Sequence, residues 1–119
     1  LLVKVYGIKN CDTMKKARTW LESHAIEYEF HDYKVAGIDR EHLRRWCREA
    51  GWETVLNRSG TTFRKLPDDR KTGLDEERAI ELMLEQPSMI KRPVIERGKR
   101  IVVGFDPKVY ATELVSGAA

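Results

Sequence analysis

Cysteine is scarce: 2 among 119 residues, far apart at Cys11 and Cys47. That usage fits a reducing cytoplasm better than a disulfide framework. The three histidines, His24, His31 and His42, show neither Cys/His ligand spacing nor the partner pattern of a base, so no metal is expected. No apolar run approaches the roughly 20 residues of a membrane span, and no signal-peptide pattern opens the chain. The sequence begins at Leu1 rather than Met, which leaves room for a few residues, or a targeting segment, ahead of it. An excess of one charge is missing too. With 22 cations against 19 anions the net charge is +3, which gives no reason to expect nucleic acid as a partner. Internal repeats and low-complexity tracts are absent. What remains, 41% hydrophobic and 34% charged, is the composition of a soluble globular protein with a core that needs no staples.

The opening stretch organises the rest. Val3 and Val5 alternate with polar or amphipathic neighbours, the period of a strand, and Gly7 and Asn10 punctuate its end. From Met14 the period changes to that of a helix, with Met14, Ala17 and Leu21 on one face and Trp20 beside them, running to about His24-Ala25. Cys11 therefore sits at a helix N-terminus, where unpaired N–H groups and the macrodipole favour an anion. The effect is about 0.3–1 kcal/mol, and about 2 in a sheltered geometry. Near neutrality it raises the thiolate from a few per cent to about a quarter. Lys9, Lys15, Lys16 and Arg18 add to it and Asp12 opposes it. The plain alternative is a small apolar residue at a strand–helix junction.

Further on, Ile26, Tyr28 and Phe30 alternate with charged residues in a second half-buried strand ending near Tyr33, parallel to the first. Ala36-Gly37-Ile38 makes a turn and Asp39 caps a helix whose buried face is Leu43, Trp46, Cys47 and Ala50, closed by Gly51. On that face Cys47 reads as core. Trp52, Val55 and Leu56 form a short helical segment delivering Arg58; Ser59–Gly73 reads as loop with one helical turn near Phe63-Leu66. Asp75–Gln86 is a helix with Ala79, Ile80, Met83 and Leu84 on its stripe, stopped by Pro87. The run from Met89 to Ile95 leads into a strand that turns at Gly98 and returns as Ile101-Val102-Val103. Asp106-Pro107 starts a last helix with Val109, Tyr110 and Leu114 buried, and Ser116–Ala119 is a frayed tail. The order β-α-β, helical block, β-β-α predicts an α/β fold: one thioredoxin-like domain over residues 1–119, with a mixed sheet and a helical insertion at about 39–87.

These residues also carry a family likeness. Tyr6-Gly7-Ile8-Lys9-Asn10-Cys11-Asp12-Thr13, Leu56-Asn57-Arg58, Lys91-Arg92-Pro93-Val94-Ile95 and Val103-Gly104-Phe105 resemble the arsenate reductase (ArsC)-like family, nearest its YffB subgroup, with the Spx regulators as relatives. The resemblance spans nearly the whole chain. It implies that Cys11 is a nucleophile, that Arg58 and Arg92 hold an anion, and that Pro93 is a cis-proline exposing backbone groups to a thiol peptide. Asn10 and Thr13 join them in binding a substrate anion or glutathione. Two positions depart from the pattern. Gly104 stands where the reductases carry a further arginine, which removes a bidentate anion donor. Met14 stands where Spx regulators carry a second cysteine, so Cys11 has no neighbouring thiol. Arg64, Arg70, Arg97 and Arg100 read as ordinary solvated groups. A phosphatase loop needs arginine six positions after the cysteine, and Ala17 occupies that place.

Two functions of different class follow as expectations. One is a monothiol reductase in which Cys11 attacks a disulfide or oxidised substrate and glutathione or another small thiol, as co-substrate, resolves the intermediate with no bound cofactor. The other is an Spx-like, non-catalytic regulator that docks on a protein partner. Arsenate reduction is a further alternative.

Overall fold

The computed structural model describes residues 2–115. The chain divides into two compact units, one formed by residues up to Ala36 and from Arg92 onward, the other by Gly37–Lys91.

The first unit is built on a four-stranded sheet of order β2-β1-β3-β4, with β1 at Val3–Gly7, β2 at Tyr28–Asp32, β3 at Val94–Arg97 and β4 at Arg100–Val103. β1 runs parallel to β2 and antiparallel to β3, and β3 and β4 form the hairpin turned at Gly98. The parallel step needs a crossover, supplied by helix α1 (Asp12–Ser23). Together with the closing hairpin and helix this is the thioredoxin-like arrangement, a mixed sheet with helices. Val3, Val5, Ile95 and Val102 share one face of the sheet and bury against Met14, Ala17 and Leu21 of α1 and Tyr110 and Leu114 near the end of the chain.

Helix α1 ends in a 6→1, 5→2 hydrogen-bond pair: Ile26 N–H to Leu21 C=O at 2.9 Å and Ala25 N–H to Glu22 C=O at 3.1 Å. Ala25 accordingly takes the left-handed conformation, φ 56°, that glycine usually fills. This cap pulls Ile26 out of the expected second strand, which begins at Tyr28 and stops at Asp32. The next four residues, Tyr33–Ala36, wind into a short helix, α2, that runs from the expected end of the strand into the expected turn at Ala36.

In the second unit Asp39 caps helix α3 (Arg40–Ala50) by accepting the His42 N–H at 2.8 Å, and Gly51, at φ 90°, ends it. Leu43, Trp46 and Cys47 are buried and Ala50 is half-buried. Helix α4 (Trp52–Val55) and helix α7 (Glu76–Glu85) pack on α3. Backbone bonds from Asn57 N–H to Met89 C=O and from Lys91 N–H to Val55 C=O, both 2.8 Å, lace two distant segments together around the Leu56–Ile90 bridge.

Several expectations need correction. Ser59–Gly73 contains two short helices, α5 (Thr61–Arg64) and α6 (Asp68–Lys71), where one turn was expected. α6 buries nothing, so it leaves no apolar period to read. On α7 the buried stripe is Ala79, Ile80, Leu82 and Met83, and Leu84 is only half-buried. Pro87–Met89 forms a 3-10 turn, and the third strand begins only at Val94. Val109, expected inside, is 40% exposed on helix α8 (Pro107–Tyr110), where Tyr110 is the buried residue; the chain continues into a π-helical turn at Ala111–Val115 that buries Leu114. Arg97, read as solvated, is buried, and its guanidinium donates to the Glu113 carbonyl at 3.1 Å. The expected tail at Ser116–Ala119 lies outside the described residues. Among the described residues no helix is long and apolar enough to cross a membrane.

Candidate active site

The thiol is delivered by the end of β1. Gly7 pairs with Asp32 across the parallel ladder, and the Asp32 carboxylate accepts the N–H groups of Lys9, at 3.3 Å, and Lys34, at 2.9 Å. One carboxylate thus ties the loop before Cys11 to the turn after β2. A Cβ on Gly7 would collide with the Met14 sulfur, so glycine lets the first turn of α1 close onto the strand. Met14 is fully buried in the resulting core. The position at which a second, resolving cysteine would stand is therefore a packing position, sealed from solvent.

Cys11 is the N-cap of α1, with extended backbone at φ −144° and ψ 134°, and its carbonyl accepts the Lys15 N–H at 2.9 Å. The residue is half-buried and leans on the edge of the sheet core. Its sulfur makes no strict capping hydrogen bond, yet it faces the amides opened by the helix start. Burial pushes the thiol pKa up, and this is more than offset by the Met14 amide, the Arg92 guanidinium and the Thr13 amide, so the net direction is down. The amides at the helix terminus and one cation from elsewhere in the chain, Arg92, thus act on the thiol in the same direction.

That cation comes from the other side of the sheet's central pair. The antiparallel register Tyr6↔Val94 sets the residues just before β3 level with those just after β1. Arg92 stands there, half-buried, followed by a cis peptide bond to Pro93. The Pro93 carbonyl accepts the Gly104 N–H at 2.8 Å, so the hairpin's exit clamps the proline. Desolvation disfavours the charged guanidinium of Arg92, but its hydrogen bond to Cys11 and the neighbouring Tyr33 hold it ionised, its pKa above the ordinary value.

Tyr33 is the residue that sequence reasoning missed. It follows β2 directly, is fully buried, and its phenol accepts from the Arg92 guanidinium; burial pushes its own pKa up. In sequence it read only as the last residue of a strand, and nothing in periodicity marks a tyrosine that reaches an arginine 59 positions later (92 − 33). Gly104 carries its own explanation. It sits at φ 86°, and its carbonyl accepts the Tyr110 hydroxyl at 2.6 Å. A further anion-binding arginine at this place would have to adopt a left-handed backbone that non-glycine residues avoid.

The first unit thus brings together Cys11, Thr13, Arg92 and Pro93, with Asn10 exposed in the loop beside the thiol. Arg58 belongs to the second unit, where its guanidinium carbon lies 5.5 Å from the centroid of the Trp52 ring. Cys47, in the same unit, is buried, and burial, then the charge of Glu76, pushes its thiol up to about 11. At neutral pH it is inert. Among the described residues no group of three or more His, Cys, Asp or Glu side chains is placed to hold a metal ion.

Residues 6–112 match the family model described as the ArsC family. The chain belongs to that family. It is similar to a solved protein named YffB, 68% identical with a TM-score of 0.92, the match covering 95% of this chain and 99% of that one. It is also similar to an arsenate reductase (ArsC) related protein from Brucella melitensis, 56% identical with a TM-score of 0.77, over 97% of this chain and 96% of that one. A more distant relative is the global transcriptional regulator Spx of Streptococcus agalactiae, 29% identical over 107 residues, 88% of this chain and 77% of the regulator. The site described above therefore lies in an ArsC-family chain, and among the described residues Cys11 is its half-exposed cysteine while Cys47 is buried.

Proposed function

We propose that this ArsC-family protein is a monothiol reductase that uses glutathione, working in a reducing compartment such as the cytoplasm. The observation that carries the reading is the pairing of one half-exposed thiol, Cys11, with the Arg92 guanidinium at a helix N-terminus. In the first step the Cys11 thiolate attacks one sulfur of a disulfide; a Cys11–substrate mixed disulfide forms and the other sulfur leaves as a thiolate. The thiolate of glutathione then attacks the mixed disulfide. Cys11 leaves as the thiolate, and the substrate departs joined to glutathione; a second glutathione thiolate attacks that mixed disulfide, freeing the substrate as a thiolate and forming glutathione disulfide. Two electrons pass from two glutathione molecules to one disulfide. The resolving thiol comes from outside because Met14 is buried at the place of an internal one.

Asn10, Thr13, Arg58, Arg92 and Pro93 are the proposed binding residues for glutathione or a substrate anion, with Thr13 acting through its amide and Pro93 through its backbone. The similarity to an Spx regulator supports a second reading, in which the fold docks on a protein partner without chemistry. Arsenate reduction is the less favoured enzyme reading, since Gly104 replaces an anion-binding arginine. The deciding experiment follows glutathione-linked reduction of a small mixed disulfide by wild type, Cys11→Ser and Cys47→Ser. The proposal expects turnover in wild type and Cys47→Ser and loss of it in Cys11→Ser. Equal rates in all three would remove the enzyme reading, and protein-partner capture unaffected by Cys11→Ser would favour the regulator.

A further inference from the structure

Arg92 is one residue asked to do a geometric task that its own flexibility opposes. A half-buried guanidinium on a flexible stem loses rotamer entropy when held in one place. Something must hold it. The backbone fixes only its Cα, next to the Gly104–Pro93 hydrogen bond at 2.8 Å. The far end is met by the phenol of Tyr33, a side chain with no exposed surface that is itself fixed where β2 turns into α2. The Asp32 carboxylate pins the same turn by accepting the Lys34 N–H at 2.9 Å and so sets where Tyr33 enters the interior.

We propose that Tyr33 is a positioning residue: its buried phenol oxygen accepts one N–H of Arg92 and so keeps the guanidinium's remaining donors on the Cys11 sulfur. The inference deepens the reductase reading by assigning the second contact of its cation, and it does not depend on glutathione being the reductant. Within this unit the charged groups that face Tyr33 are Arg92, Asp32 and, when ionised, Cys11. Of these only Arg92 favours the thiolate; the two anions do not compete for the role. The arrangement has a consequence during turnover. When Cys11 passes into a mixed disulfide its negative charge is gone, and the N–H groups that faced it become donors for the departing thiolate or a substrate carboxylate. Tyr33 keeps the guanidinium in place through that change, so Arg92 serves the thiolate before attack and the leaving anion after it.

The test is the pH dependence of the reaction of Cys11 with a neutral dipyridyl disulfide, which needs no turnover and no glutathione. Tyr33→Phe removes the hydroxyl and keeps the ring. At neutral pH it should slow the reaction about two- to threefold and move the rate profile to higher pH. In an Arg92→Ala background the same change should have no further effect, because there is no guanidinium left to position. A wild-type profile for Tyr33→Phe, or equal slowing in both backgrounds, would overturn the proposal. If Tyr33→Phe does not fold, a fluorotyrosine placed at position 33, with its weaker acceptor oxygen, must produce a shift of the same sign, and its absence would be equally decisive. Failure of glutathione-linked turnover with an intact Tyr33–Arg92 coupling would count against the reductase reading and leave this inference standing.

Discussion

Replacing Arg92 with alanine should change the rate of Cys11 in opposite directions at low and high pH. A hydrogen bond to a charged group contributes about 1.5–3 kcal/mol where both partners are sheltered. Cys11 and Arg92 are each half-exposed, so solvent screening brings the figure just below that range, to about 1.4 kcal/mol. That is about a tenfold loss of thiolate at any pH below the wild-type pKa. The thiolate that remains is the more basic one and therefore the better nucleophile, with a Brønsted slope of about 0.45. The two effects combine to a net slowing of about threefold to fourfold near neutrality. Above both pKa values, where each protein is fully ionised, the variant should be about threefold faster than wild type. The assay is the second-order rate of Cys11 with a neutral disulfide probe between pH ~5 and ~10, in a Cys47→Ser background that removes the second thiol. Parallel melting curves establish that the variant is folded. A profile that superimposes on wild type would show that the arginine does not act on the sulfur. Uniform slowing at every pH would assign it to substrate binding instead.

Other expectations are simpler. Native protein should take up one thiol reagent and denatured protein two, because Cys47 is pushed up to about 11 by burial and by Glu76 while Cys11 is lowered; two rapid equivalents would contradict this. The raised Cys47 value also sets a sign for stability. Unfolded cysteine ionises near pH ~8.5, so the contribution of the buried neutral thiol is complete below that value. It is lost as pH rises toward about 11, with Tyr110, also raised by burial, adding to the loss, and Tm should fall across that window. Ala25→Gly should stabilise by about 1 kcal/mol, roughly 4 °C in Tm, since the helix-ending residue sits at φ 56°. Gly104→Arg should destabilise by about 1–2 kcal/mol at φ 86°, and unchanged melting would refute the backbone explanation for the missing arginine.

What could be read from the chain, and what could not, divides along local and non-local causes. Val3 and Val5, the Met14–Ala17–Leu21 face, the caps at Asp39 and Asp106 and the stop at Gly51 each depend on a few neighbouring residues, and each stands where the sequence puts it. Cys11 at the head of α1 is of the same kind. Leu82 and Leu84 flank the same stripe of α7 with equal apolarity, so only the packing partners decide which of them is buried. Arg97 is buried by a carbonyl at Glu113, and Tyr33 is recruited by Arg92; neither partner is within a helical turn or a strand repeat. α2 and α6 are single turns without an apolar period long enough to register. The resemblance supplied the identity of Arg92 and Pro93 but said nothing of the tyrosine beneath them.

The central claim is that Cys11 alone carries a covalent intermediate which an outside thiol resolves. Its most direct test is to mix the protein with a glutathione-containing disulfide, quench in acid, and locate the adduct by mass spectrometry. One glutathione on Cys11, removed when free glutathione is added before the quench, is the predicted result. An adduct on Cys47, or no adduct at either cysteine, would contradict the account.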